Sequence, residues 1–395
     1  QAGITDCAPE FVSEKSGLCA PNPSLCGPGF LAIPTQGCVS MDPPDGCGEG
    51  TWGSIVEDAS DQHVDHAYDG GDSDGSREKP WTKISQAQAN LSSEGRIILA
   101  AGDYDESVLF QSSASLIGRC SSMVTVSGAT TSPVAANLGK TVLEFIGAIH
   151  VTVRDLRVSG DGVGLATYSG AQVTLERVIF DDNEFFGIFI SQSGTVVTAT
   201  DLVVSGTRPR ADGMFGLGVS AQDGGTLNLD RGMLVDNTET NLFCGGPPSP
   251  LPSAITVKNT LVSGALAPSH GLYGGRGVAI DSGASANLES LIIRENTGSS
   301  LYATGPGTTV TVNGLVIFGI DSDNPASNAR GINIQEGASG QLNQVAISRT
   351  TDIGLYIANE GTSVEASGLF IQETQPAESP GEGRGVHLKD GASFS

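Results

Sequence analysis

The chain has 395 residues, 54 of them glycine, with only 5% aromatic residues and a net charge of −24. That charge excludes nucleic acid as a partner, because phosphate binding needs a basic footprint. No membrane span is visible, and a chain beginning at Gln1 is expected to be a mature form left after removal of an export signal.

Residues 1–57 carry five of the seven cysteines, Cys7, Cys19, Cys26, Cys38 and Cys47, in loops rich in Pro and Gly. This density predicts a small disulfide-bonded head made in an oxidising compartment, with little core of its own. The partners cannot be read from spacing. Cys120 is expected to reach back to the head, and Cys244 to be the unpaired or intermolecular thiol. Residues 58–95 form a lead-in segment in which Ile84, Ala87 and Leu91 share one side of a short helix, a cap for the first coil of a solenoid.

Residues 96–395 carry the solenoid pattern. Phrases such as "GLATYSGAQVTLERVIF", "GVAIDSGASANLESLII" and "GINIQEGASGQLNQVAI" alternate apolar and polar residues between glycine turns. Coils are expected to open at Gly164, Gly187, Gly216, Gly277, Ser300, Gly331, Gly354 and Gly385, with one irregular coil over about 241–276. Steps of 23 or 24 residues are too short for a strand–helix–strand crossover, whereas three short strands fit. Coils of about 23 residues alternate with coils of about 30, and the extra length always falls before the next opening residue. The fold class is therefore all-β: a single-stranded parallel β-helix of about eleven coils, alternately short and long. The last phrase stops 11 residues into a coil, so further coils are expected beyond residue 395, or a second molecule that completes the stack.

These coils, together with "DGGDSDGSREKPWTKISQA" and "GRIILAAGDYDESV", resemble the right-handed parallel β-helix superfamily, the pectate-lyase-like solenoids. "LIGRCSSMVTVSG" after a Cys-rich head is similar to exported β-helix proteins of the myxobacterium type. The resemblance covers about residues 66–395. It implies a secreted or cell-surface bacterial protein, and for an enzyme of this fold a polysaccharide lyase or glycoside hydrolase.

Candidate site residues are few. Asp69, Asp72 and Asp74 lie in a Gly-rich loop, as oxygen ligands for Ca2+ do, though a turn before the helix needs the same residues. Arg276, Arg330 and Arg384 each precede an opening glycine and form a row suited to an anionic glycan. The competing reading pairs each arginine with acids of its own loop, such as Glu378 or Glu382. Asp181 and Asp182 are neighbours on a strand and point apart. Asp321 and Asp323 are expected to be solvated, and His63 and His66 to be strand-edge residues. Asn183, Asn237 and Asn296 form a structural turn column. Regular coils, scarce aromatics and no catalytic cluster favour a non-enzymatic surface or adhesion protein that assembles with itself or binds extracellular glycan. A lyase or hydrolase acting on acidic polysaccharide is the alternative. It would bring three or more carboxylates from neighbouring coils together.

Overall fold

The computed structural model describes residues 11–13, 19–27, 29–132, 136–246, 251–268, 274–319, 329–376 and 383–395. They form a right-handed parallel β-helix whose strands stack into one 15-stranded and one 12-stranded sheet. Strands of the long sheet run from Asp61–Val64 to Ser393–Phe394, and those of the short sheet include Val163–Tyr168, Phe186–Ser191, Arg276–Ile280 and Ile353–Ala358.

The core lies between the sheets as stacked columns. Leu165, Ile188, Val219, Leu242, Val278, Leu301, Ile332 and Leu355 pair in unbroken register and are all fully buried. Like side chains therefore pack on like, one per coil, which is why the sequence repeats. Each long strand bends at one residue with left-handed backbone, among them Asp155, Arg177, Asp201 and Arg231. The ladder skips that residue and resumes, pairing Arg154 with Glu176 and then Leu156 with Val178. Opposite charges alternate down this bend column. Arg177 Nε donates to Asp155 Oδ1 at 2.5 Å, and Arg231 donates to both oxygens of Asp201 at 2.7 Å.

The register corrects two expectations. The residue equivalent to Gly187 and Gly277 is Gly218, not Gly216, and in the coil expected to be irregular it is Asn241. That coil stacks in register through Thr240–Gly245 and Ala254–Ser263. Asn241 is fully buried and satisfies its amide on Ser263 O at 2.9 Å and Asn237 Nδ2 at 2.8 Å. Asn237 and Asn296 accept from the backbone N–H of Thr207 and Ala265, so they do hold turns together. Cys244 also changes meaning. It lies in the strand Thr240–Gly245, points into the core with no exposure, and burial pushes its thiol up to about 12. It is a free cysteine, but too buried for an intermolecular link.

The lead-in helix is Ile84–Ala89, with Ile84 and Ala87 buried and Leu91 packed against the core. Glu106 caps its start by accepting from the N–H groups of Ile84 and Ser85 at 2.6 and 3.1 Å. Disulfides join Cys26 to Cys38 and Cys47 to Cys120. Cys7 and the side chain of Cys19 lie outside the described residues.

The cysteine-rich segment does more than hang from its disulfides. Its hairpin, Phe30–Ile33 paired with Gly37–Ser40, lies along the outside of the long sheet. Leu31, Ile33 and Met41 cover Ile179 and Val203, and Ala32 packs with Leu261, Ile292 and Phe318. Trp52 packs on Ile98 and Ile117 near the first coils. The segment thus takes the core it lacks from outward apolar residues of at least five coils.

Candidate functional site

The outer face of the short sheet carries the densest chemistry. One outward column runs Ala166, Phe189, Ser220, Phe243, Ala279, Tyr302, Asn333, Tyr356, His387. Aromatic residues recur in alternate coils of this column. Phe185, Phe186 and Phe215 join it in an apolar cluster separate from the core. Ring centroids lie 4.0 Å apart for Phe185 and Phe186 and 4.9 Å apart for Phe185 and Phe215.

Phe185 and Phe215 both adopt left-handed backbone, with φ of 75° and 68°. For a bulky side chain this costs on the order of 1–2 kcal/mol. Other coils use Gly or an acidic residue in such turns, as at Glu239, Gly275 and Asp352. Two phenylalanines held there build a shelf instead.

Beside the shelf is a pocket of about 460 Å³, lined by Asn137, Leu138, Lys140, Asp161, Glu184, Phe185 and Arg210 among others. The Arg210 guanidinium stands 4.9 Å over the Phe185 ring. Arg208 bridges Asp161 at 2.9 Å and Asp182 at 2.6 Å. Its hydrogen bond holds the Asp161 carboxyl below the usual carboxylate range. The pocket therefore offers two cations and two acids within one concavity, beside a Phe185 ring that is itself buried under Arg210, a set suited to a charged sugar.

The arginine row lies farther along the same face. Arg276 stacks on Tyr302 of the next coil at 3.9 Å, and Arg330 on Tyr356 at 3.7 Å. Arg330 also faces Asp352 at 3.5 Å, and Arg384 contacts His387 at 3.1 Å. Glu378, Glu382, Asp321 and Asp323 lie outside the described residues, as does part of each long loop before Arg276, Arg330 and Arg384.

Other candidates are dispersed. Asp72 binds Lys79 at 2.6 Å and Tyr68 at 3.0 Å, and Asp74 accepts from Ser76 N at 2.9 Å. Among the described residues Asp69, Asp72 and Asp74 do not form a close group of three, and Asp72 and Asp74 are held by partners in their own loop. Among the described residues the one close group of potential ligands is Asp42 with Cys47 and Cys120, whose sulfurs form a disulfide. Asp181 takes Arg157 at 2.7 Å and Ser205 at 2.8 Å, apart from the Asp182 pair. His63 is buried edge-on against Trp52, and His66 stands edge-on against Tyr104.

The aromatic column is a feature that the candidate residues of the sequence do not include. Its signal is nonetheless present there: Phe189 and Phe243 are 54 positions apart, as are Tyr302 and Tyr356, the same period as the arginines.

The molecule is a parallel β-helix. Among solved structures it is similar to pectate lyase Pel9A, with 15% identity, a TM-score of 0.53 and 81% of each chain covered. It is more distantly similar to an alginate lyase from Paenibacillus, with 10% identity, a TM-score of 0.37 and coverage of 78% of this chain and 96% of that one. Neither protein-family models nor curated proteins give a match.

Proposed function

We propose that this protein acts on acidic polysaccharide, as a lyase or glycoside hydrolase, with the phenylalanine-lined pocket as the point of closest contact. The observation that carries the reading is the strained shelf of Phe185 and Phe215 beside Lys140 and Arg210. A uronate carboxylate needs a fixed cation, and the Phe185 ring beneath the Arg210 guanidinium holds that cation in place. Lyase chemistry suits this pocket better than hydrolysis. The Arg208 guanidinium holds the Asp161 carboxyl below the usual range, which disfavours it as the proton-donating acid of a hydrolase. Lys140 and Arg210 place positive charge where a uronate carboxylate would lie. The similarity to a pectate lyase supports the same class.

A non-enzymatic surface role rests on regular coils, scarce aromatics and the lack of a catalytic cluster. Aromatic residues gather on the outer face of the short sheet, which weighs against the second of these, while among the described residues no three carboxylates lie within 4.8 Å of one another. Self-association has no supporting observation among the described residues. Two disulfides fit an extracytoplasmic protein, and no described helix is long and apolar enough to cross a membrane.

Incubation with polyuronates, with and without added Ca2+, tests the proposal. Binding that weakens in Phe185→Ala and Arg210→Ala, with release of unsaturated uronides, is expected. Wild-type protein that neither binds nor cleaves any acidic polysaccharide would overturn it.

A further inference from the structure

The outward arginines of this solenoid fall into two groups. Arg96, Arg157, Arg177, Arg208 and Arg231 each hold an aspartate at 2.9 Å or closer. In a chain with 44 acidic and 20 basic residues this is the expected fate of a surface cation. Arg276 differs. Among the described residues no carboxylate lies within ion-pair distance of it, and its guanidinium lies over the Tyr302 ring at 3.9 Å.

The arrangement repeats. Arg330 lies over Tyr356 at 3.7 Å, and Arg210 over Phe185 at 4.9 Å. In all three cases a loop leading into a short coil delivers an arginine to an aromatic residue of an adjacent coil. Arg276 and Arg330 are two coils apart, about 9.6 Å by the spacing of stacked strands. A guanidinium resting on a ring is partly dried and held in place, so its N–H fork is pre-organised for a two-pronged bond to a carboxylate.

We infer that the Arg276–Tyr302 and Arg330–Tyr356 couples are successive subsites for one linear polyuronate lying along the solenoid axis from the pocket. The inference rests on the proposed action on acidic polysaccharide and names the charge pattern that the face selects. Along an extended chain, anionic groups on one side recur every second sugar, and one couple per two coils matches such a repeat. Arg330 shares its charge with Asp352 at 3.5 Å, so Arg276 carries more of the contact.

Calorimetric titration with uronate oligosaccharides of increasing length tests this in wild type, Arg210→Ala, Arg276→Ala and Arg276→Gln. Gln keeps a stem against the ring and guards against a loss that is merely structural. Wild-type affinity is expected to rise with length beyond what fills the pocket. Both Arg276 variants should lose about tenfold in affinity for long chains, the size of one charge-assisted bond, and most of that rise. Sulfated chains of equal length should bind more weakly. If wild type binds no acidic polysaccharide, the proposed function fails and the subsites with it. If wild type binds, Arg210→Ala weakens binding and both Arg276 variants match wild type at every length, the subsites alone are refuted. Equal or tighter binding of sulfated chains overturns the choice of polyuronate.

Discussion

The glycine that opens most coils shows how a single atom can be forbidden. A methyl group on Gly331 would sit 2.5 Å from the Gly354 carbonyl oxygen and 2.7 Å from Ile347 Cγ2. Gly164, Gly187, Gly218 and Gly277 meet the carbonyl of the next coil in the same way, at 2.5 or 2.6 Å. The repeated Arg-Gly phrase therefore joins a steric demand to a surface charge. Gly331→Ala should cost about 1–3 kcal/mol, the usual penalty of overpacking a tight core. Thermal unfolding of the variant measures it, and an unchanged midpoint would show that the stack relaxes freely, as it does around Asn241. The glycine pattern was legible in the sequence. The strain at Phe185 and Phe215 was not, because nothing in "DDNEFFGIFI" or "ADGMFGLGVS" says which residue takes the left-handed turn.

At the level of elements, the N-terminal hairpin is the part whose role was least visible. Composition predicts disulfides and a small core, and both are present. What it does not show is that Ile179, Val203, Leu261 and Ile292, which face away from the solenoid core, need a cover. On alternation alone such positions should be polar. Ile33 is fully buried against this stripe. Ile33→Asp would bury a carboxylate with no partner, at a cost of at least about 3 kcal/mol. Limited proteolysis should then cut within residues 29–41 while the coils stay intact. If the variant is as resistant as wild type, the hairpin is held by its disulfides and not by this face.

Across the whole molecule, the charge of −24 sets the response to pH and salt. Burial raises the carboxyls of Asp236, Glu239 and Asp281. The folded state therefore binds protons there more readily than the unfolded state, and stability increases as pH falls through the window above the ordinary values of 3.8 and 4.5. Lower pH also relieves self-repulsion. His63 works the other way: burial lowers it, so its contribution is lost as pH falls below 6.5. Asp72, held down by Lys79, and Asp161, held down by Arg208, lose theirs below 3.8. The thermal midpoint should peak near pH 5, and added salt should raise it at pH 7. A midpoint that climbs steadily from pH 5 to 8 and ignores salt would contradict this balance.

Periodicity was enough to establish the β-helix, because stacking one coil per strand spacing makes every coil meet the same steric demands. It also disclosed the row of arginines, since a 54-residue period puts equivalent residues in one column. It did not tell whether those arginines meet acids or rings, or whether Asp69, Asp72 and Asp74 converge. Those outcomes depend on which side chains neighbouring coils bring within a few ångströms. The true register, set by backbone pairing and not by similar phrases, moved one coil opening from Gly216 to Gly218 and turned Cys244 inward. The phenylalanine shelf and the covered stripe likewise exist only once the chain is wound, because contact between coils and with the hairpin is a property of the stack and not of any one segment.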